Sequence, residues 1–528
     1  MKKRCTLLWV LLLLVAGFSI KPLTAQVHTP PSPQIEVTQE PQSLNPDQFL
    51  AQDDPHDQEK HQDESHAAHS EDHGHEEDHG HEEHLPSPLM VIPFVVLLLM
   101  IATGPVFFEH FWHKNYKWIA PALGLVTLLY YLFVLHNTHE PAHSLAEYIS
   151  FIALLAPLYI ASGGILIQID KEGTPKANLI LLLVGAAVSN IIGTTGASML
   201  LIRPFIRLNR DRLKPYHIIF FIFMVSNIGG SLTPIGDPPL FLGFLRGVPF
   251  AWTIANVTPQ WIFALALLSV TFLWFDTRNK SDLDQAETVY SGKVVLKGLK
   301  NFVWLAIIVG AVFLDPNVLD WVPAIEVGEG SHVTKFSFLR EFIQLSAGAA
   351  SYFLADKQAL QGNEFTFEPI LEVVFLFAGI FFAMMPALQL IGQFAADPVN
   401  AGLITENTLY WSTGILSAFL DNAPTYVNFL SAACAKFQLG VGVPTDVKAF
   451  AMGTVDPITP VYLEAISVAA VFFGAMTYIG NGPNFMVKAI AEERGVKMPS
   501  FFGYMIRYSL VILLPILLLT WVVFFVLF

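Results

Sequence analysis

The sequence predicts an all-α polytopic membrane protein with inverted repeats, about ten transmembrane spans, two re-entrant helical hairpins and two broken helices. The chain is 53% hydrophobic and only 14% charged, whereas soluble proteins carry about a quarter charged residues. Apolar runs recur from residue 89 to Phe528, and about 20 such residues cross the hydrocarbon core of a bilayer. Two of the runs are interrupted by glycine, proline and polar residues in matching positions.

The first 25 residues have the pattern of a secretory signal peptide. A basic start precedes an apolar stretch of about a dozen residues, and the small residue Ala25 stands before Gln26. Leu23 fits a cleavage site poorly, so an uncleaved anchor is the alternative. In both cases the segment that follows is exported.

Residues 26–88 are rich in His, Asp and Glu and predict a disordered exported arm. Residues 53–84 hold 13 acidic side chains against one basic residue, Lys60, and nine histidines. Their spacing suits loose zinc or nickel binding, with the four weak metal candidates His73, His75, His79 and His81. The alternative is a merely solvating acidic arm. The remainder of the chain is close to neutral, which argues against nucleic-acid binding.

Residues 89–528 form the predicted transporter domain, with a first repeat at about 146–275 and a second at about 366–527. The predicted spans are 89–111, 117–136, 146–169, 216–246 (broken), 252–275, 300–315, 339–356, 366–390, 461–490 (broken) and 502–527.

Two further apolar stretches, 178–203 and 408–433, are predicted to enter and leave the bilayer on the same side. With that layout, 19 basic residues fall on the cytoplasmic side and five on the external side, as the positive-inside rule requires. If either stretch crossed fully, the loops after it would change sides and the asymmetry would disappear. Both are therefore interpreted as re-entrant hairpins, whose non-helical tips must lie inside protein.

Each hairpin is followed by a broken helix, and the two copies match. The first copy reads "VSNIIGTTGASMLL" and then "GGSLTPIGDPPLFLG"; the second reads "FLDNAPTYVNFL" and then "GAMTYIGNGPNFMVK". The aligned pairs are Ser189 with Asp421, Asn190 with Asn422, Thr233 with Thr477, Gly236 with Gly480 and Asp237 with Asn481. Duplicated, oppositely oriented elements of this kind are typical of secondary transporters that bind ions at the midplane. A proline-kinked structural helix is the alternative.

These motifs resemble the ion-transporter superfamily, and most closely its D-type sodium/proton antiporter and citrate-transporter branch. The resemblance covers roughly residues 89–528. It implies a scaffold region that often dimerises and a transport region whose hairpin tips bind substrate and coupling ion. The positions it implies are Ser189, Asn190, Thr194, Thr195, Asp421, Asn422, Pro424 and Thr425 at the tips, and Thr233, Gly236, Asp237, Thr477, Gly480 and Asn481 in the broken helices. Leu240 stands where many relatives have Asn.

Three acidic residues in the apolar runs are candidates for proton coupling: Asp421, Asp237 and Glu372. A carboxylate at the bilayer centre costs about 2.5–3.5 kcal/mol or more, so it is retained for a partner or a task. A carboxylate that holds either Na⁺ or H⁺ supplies antiport directly, which makes Asp421→Asn an expected inactive variant. Apart from Lys488 at the end of the second segment, the quoted motifs contain no Arg or Lys to offset an anion.

The predicted function is therefore sodium (or lithium)/proton antiport, with sodium as the transported or coupling ion and no cofactor. The alternative is a proton- or sodium-coupled citrate, dicarboxylate or other anion transporter. The chain lacks the H-E-x-x-H motif and other signs of an enzyme. Its expected location is the bacterial inner membrane, with the His-rich arm on the external side.

Overall fold

The computed structural model describes residues 85–279, 292–314, 319, 321–327 and 334–527. The signal peptide, almost all of the exported arm and its candidate histidines His73, His75, His79 and His81 lie outside the described residues.

The described part of the chain is almost entirely helical, which confirms the predicted fold class. Its α-helices are α1 (Ile92–Phe107), α2 (Glu109–Phe133), α3 (His139–Gly163), α4 (Pro175–Leu208), α5 (Pro215–Met224), α6 (Pro238–Leu245), α7 (Trp252–Arg278), α8 (Lys300–Ala311), α9 (Leu339–Phe353), α10 (Lys357–Gly362), α11 (Glu368–Ala383), α12 (Met385–Ala396), α13 (Glu406–Phe419), α14 (Asn422–Lys436), α15 (Pro444–Met452), α16 (Thr459–Phe473), α17 (Gly482–Glu493), α18 (Phe501–Tyr504) and α19 (Leu514–Trp521). The last two are joined and followed by π-helical turns, Met505–Leu513 and Val522–Val526.

Two small antiparallel sheets connect helices. Strand β1 (Leu166–Ile169) pairs with β2 (Val294–Lys297), so that Leu166 faces Lys297, and β3 (Ile325–Val327) pairs with β4 (Thr334–Phe336). The predicted span 146–169 therefore ends earlier than expected. Helix α3 stops at Gly163, and the residues that follow the Gly163–Gly164 pair form β1 instead.

Seven helices of the described residues are long and apolar enough to cross a bilayer, or eight if the bent pair α11 and α12 is one span. Fewer full-length candidates are present than the predicted ten because several predicted spans form shorter helices. Helix α8 has 12 residues and α9 has 15. Both pack against α3, so protein rather than lipid covers part of their backbone. Helices α11 and α12 bend by 45° near Met384.

Helix α4 is the first re-entrant hairpin (hairpin 1). A straight helix of its 34 residues would be about 50 Å long. Instead, Asn178 Nδ2 near its start lies 2.7 Å from Asn209 Oδ1 just beyond its end. The chain reverses at Gly193, whose φ of 78° suits glycine because residues with a Cβ are strained there.

Helices α13 and α14 form the second hairpin (hairpin 2), with Leu420 and Asp421 extended between them. The base of this hairpin is closed in turn: Lys436 Nζ at the end of α14 donates to the carbonyl of Ile404, 2.6 Å away. Both predicted hairpins are thus present, and each has its ends together and its tip inside the protein.

Both predicted broken helices are also present. In broken helix 1, α5 leads through a 3₁₀ turn (Ile228–Leu232) and an extended stretch to α6. In broken helix 2, α16 leads through Gly474–Met476 to α17. Each second half begins with proline in its first two positions, where the missing N–H costs no helical hydrogen bond. The first half of broken helix 1 is completely buried, with Phe220, Phe221 and Phe223 in the core.

Candidate functional site at the hairpin tips

The two hairpins and two broken helices meet at the carboxylate of Asp237, in the break of broken helix 1. Asp237 is buried. Its Oδ1 accepts hydrogen bonds from Thr194 Oγ1 (2.7 Å) and Asn481 Nδ2 (2.9 Å), and its Oδ2 accepts one from Asn422 Nδ2 (2.7 Å). Thr194 belongs to hairpin 1, Asn422 to hairpin 2 and Asn481 to broken helix 2. One carboxylate therefore links all four elements that the sequence singled out.

A second layer of amides holds the two helix breaks together. Asn227 Nδ2 donates to Asn484 Oδ1 at 2.6 Å, and Asn481 Nδ2 contacts Asn227 Oδ1 at 3.2 Å. Asn484 also donates to the carbonyls of Gly474 and Thr477 at the second break. Asn227 and Asn484 were not among the predicted site residues. Their signal was available, since Asn484 lies inside the quoted second segment and Asn227 lies two residues before the quoted "GGSLTPIGDPPLFLG".

The two breaks have the same internal construction. At the first, Thr233 Oγ1 donates to the carbonyl of Asn190 at 2.6 Å and accepts from Gly236 N at 3.1 Å. At the second, Thr477 Oγ1 donates to the carbonyl of Ala418 at 2.6 Å and accepts from Gly480 N at 3.1 Å. Each threonine therefore ties its break to the tip of the preceding hairpin.

This geometry equates residues of the two hairpins differently from the sequence alignment. Asn190 occupies the place of Ala418, because the carbonyl of each accepts from the threonine of the break that follows. The alignment that set Asn190 against Asn422 is thus displaced by one helical turn. The apolar sequences of the hairpin arms contain nothing that fixes this register.

The glycines at the breaks allow backbone to lie against backbone. A Cβ on Gly236 would collide with the carbonyl oxygen of Gly230. A Cβ on Gly480 would lie 2.6 Å from the oxygen of Gly474 and 2.7 Å from that of Ser417. Both distances are shorter than real Cβ contacts, so these turns require glycine.

Asp421 lies at the tip of hairpin 2 and caps α14. Its carboxylate accepts from Ala423 N at 3.0 Å, and its carbonyl accepts from Thr425 Oγ1 at 2.9 Å. Asp421 is only partly buried, and none of the hydrogen bonds found to Asp237 comes from it. Pro424 belongs to the same first turn, and its carbonyl accepts from Asn428.

The remaining predicted residues brace the site or lie apart from it. Ser189 Oγ reaches the carbonyl of Val225 at the end of α5, and Asn190 is hydrogen-bonded to Gly229 O and Leu232 N in the first break. Thr195 is partly buried beside Thr194. Glu372 lies on α11, which packs against α2 and α3. None of the hydrogen bonds described above for the hairpin tips and helix breaks involves it.

Helix ends of both polarities surround Asp237. Four helical segments begin there, at Thr194, Pro238, Asn422 and Gly482, and each N-terminus carries about half a positive charge. The segments that precede them end at the same place with their C-terminal carbonyls, whose partial negative charge attracts cations. The cluster can therefore hold negative charge at the N-termini and a small cation at the carbonyl ends.

The partners of Asp237 are all neutral: one hydroxyl and two amides. Buried arginines are paired elsewhere, for example Arg246 with Glu147 at 2.8 Å, between α6 and α3. The described residues contain no group of three or more His, Cys, Asp or Glu side chains that could hold a metal ion.

Comparisons with known proteins agree on transport. A family model described as "Putative citrate transport" matches residues 82–525. The chain is 25% identical over 353 residues to an uncharacterized transporter of Mycobacterium bovis and to one of Mycobacterium tuberculosis, covering 63% of this chain and 73% of each relative. A second uncharacterized transporter of M. tuberculosis is 23% identical over 354 residues, with the same coverage.

Proposed function

The chain belongs to the citrate-transport family whose model matches residues 82–525, and we propose that it moves citrate or a related carboxylate in exchange for, or together with, H⁺ or Na⁺. That it is a multi-pass transporter follows from the family and the apolar helices. We place it in the bacterial inner membrane with the His-rich arm outside, in keeping with the distribution of its basic residues.

The observation that carries this proposal is the meeting of four helix N-termini at Asp237. The near absence of Arg and Lys from the two motifs argued against an anion at the level of sequence. Helix N-termini remove that objection, because free N–H groups and aligned peptide dipoles bind carboxylates without a basic side chain. The carboxylate of Asp237 already offsets part of the positive charge of these N-termini. A bound cation must therefore balance the remaining negative charge of Asp237 and the substrate.

That balance supports a coupling role for Asp237. When Asp237 is protonated, or is ionised with Na⁺ bound beside it, its repulsion of a substrate carboxylate is lowered. When Asp237 has lost its cation, the two negative charges repel each other and substrate is released. We therefore assign coupling to Asp237 and the capping of α14 to Asp421, which reverses the order of preference given by sequence alone.

A second candidate is sodium/proton antiport with no organic substrate. It is favoured by one observation, the buried Asp237 carboxylate with only neutral hydrogen-bond partners. Such a carboxylate must take up a cation when it loses its proton, so Na⁺ and H⁺ compete for it directly.

Purified protein in proteoliposomes distinguishes the two candidates. Uptake of labelled citrate, driven by an imposed proton or sodium gradient, is the expected result for carboxylate transport. Collapse of an imposed proton gradient by added Na⁺ or Li⁺, without citrate uptake, would instead establish antiport. Other di- and tricarboxylates tested in the same vesicles define the substrate class.

A further inference from the structure

A cavity of about 450 Å³ opens where the second arm of hairpin 1 ends. Volumes of this order are typical of small-molecule sites. Three arginines line it, Arg207, Arg210 and Arg494, and Asp170 is the one carboxylate among its lining residues. The cavity lies at the end of hairpin 1 that carries its closed base, on the side predicted to be cytoplasmic. It is built from described residues on three separate segments of the chain.

The positive charge around this cavity is not fully offset. Glu364 accepts from Arg494 Nη2 at 2.8 Å and lies 3.6 Å from Arg203 Nε, so a single carboxylate serves two guanidinium groups. The charge of Arg494 repels that of Arg207, and the same Glu364 carboxylate is the one that attracts it. Arg210 is 3.6 Å from Asp170 and 3.5 Å from Asp211, and its charge is compensated by these carboxylates.

Arg207 is the residue that most needs a further partner. Its Nη2 reaches only the carbonyl of Gly362, at 3.5 Å. Its Nη1 is buried and has no hydrogen-bond partner among the described residues. A buried donor left without a partner costs about 1–3 kcal/mol, and an oxyanion in the cavity would remove that cost at Arg207.

We propose that this cavity is a second oxyanion site, which binds a carboxylate or phosphate group through Arg207 and Arg494. Guanidinium groups suit such anions because their planar N–H groups match two oxygens at once. Thr194 and Arg207 lie 13 residues apart on one helical arm, so the cavity is about 20 Å from the Asp237 cluster. The site would raise the local concentration of anions at the predicted cytoplasmic end of hairpin 1. It does not depend on which substrate crosses the membrane.

Isothermal titration of citrate and of inorganic phosphate tests the proposal, with the full-length protein in phosphatidylcholine nanodiscs. The readout is the difference between the parent and Arg207→Gln, which leaves the residues around Asp237 unchanged, so a failure of the proposed function leaves this result intact. We expect saturable binding that is about tenfold weaker in Arg207→Gln, because a charge-assisted hydrogen bond is lost. Arg210→Gln, at a side chain 44% exposed, should weaken binding through charge alone and should leave the fold intact because the side chain is exposed. Arg507→Gln, at an exposed arginine outside the cavity, should bind like the parent.

The source of the oxyanion is distinguished by lipid composition. Weaker citrate binding in phosphatidylglycerol nanodiscs, with the difference abolished by Arg207→Gln, identifies a lipid phosphate as the occupant. Equal binding in both lipids, still sensitive to Arg207→Gln, identifies a soluble anion. Either result supports the site. The proposal is overturned if neither anion binds saturably and lipid composition has no effect. It is also overturned if Arg207→Gln and Arg507→Gln bind with identical affinities.

Discussion

Replacing Asp237 by Asn tests the proposed coupling with little change of shape. The new amide presents an NH₂ group in place of one carboxylate oxygen, and its worst contact would be the donor Asn422 Nδ2, now 2.7 Å from Oδ2. However, Asn422 Oδ1 is buried and has no partner among the described residues. A half-turn of the Asn422 amide converts the clash into a hydrogen bond, so all three contacts to residue 237 survive.

The stability of Asp237→Asn should therefore stay close to that of the parent. Hydrogen bonds to charged groups contribute about 1.5–3 kcal/mol and neutral ones about 0.5–1.5 kcal/mol, so three bonds together lose about 3–5 kcal/mol. Neutralising a buried carboxylate recovers its desolvation cost, which is also several kcal/mol. Asp237→Ala has no such compensation for its three orphaned donors and should unfold at a clearly lower temperature. Thermal unfolding of the purified variants measures both effects.

Transport, unlike stability, should be lost in Asp237→Asn. Asp237→Asn should fold but show no citrate accumulation driven by a proton or sodium gradient in proteoliposomes, because the titratable group is gone. Asp421→Asn is the matched control, since Asn caps a helix as well as Asp does, and it should still transport. Normal gradient-driven uptake by Asp237→Asn would refute the reasoning. Loss of uptake in Asp421→Asn alone would restore the assignment that the sequence favoured.

Exchanging the two pseudo-equivalent side chains refines the same test. Asp237 and Asn481 are in direct contact at 2.9 Å, so the double variant Asp237→Asn/Asn481→Asp keeps one carboxylate and one amide at the site. It should recover part of the coupled uptake lost in Asp237→Asn. If the double variant unfolds at the normal temperature but recovers no coupled uptake, the position of the charge matters as well as its presence.

Two further substitutions and one deletion give independent tests. Gly236→Ala should abolish transport and reduce the yield of folded protein, because its Cβ would meet a backbone oxygen, whereas Gly402→Ala has nothing within 4 Å and should be neutral in both assays. Arg246→Gln removes the guanidinium partner of the buried Glu147, which then has only His143 3.8 Å away among the described residues, and should cost about 3–5 kcal/mol. Adding Glu147→Gln should restore most of the unfolding temperature, and no recovery would contradict a role as an ion pair. Deletion of residues 27–88 should leave the rate of uptake nearly unchanged, and total loss of uptake would make the arm part of the mechanism.

The periodicity of apolar residues, the basic residues and the duplicated motif were sufficient to predict the hairpins and the broken helices. They did not predict where the hairpins contact one another. The prominence of Asp421 in "LDNAP" concealed its local task, a cap on α14, while Asp237 resembled an ordinary turn residue before two prolines. Only the fold shows that Thr194, Asn422 and Asn481 approach Asp237, because these residues come from segments up to 287 positions apart along the sequence.

The two repeats differ at the position that matters most for charge. Their backbones form the same threonine-anchored turn, yet one repeat supplies Asp237 and the other supplies Asn481. Two carboxylates in contact would repel each other and hold one proton tightly, as paired acids do, and two amides would leave nothing to titrate. One acid facing one amide gives a site whose charge changes by a single unit. If Asp237 couples as we propose, the difference between the repeats provides that single titratable charge within a nearly symmetric framework.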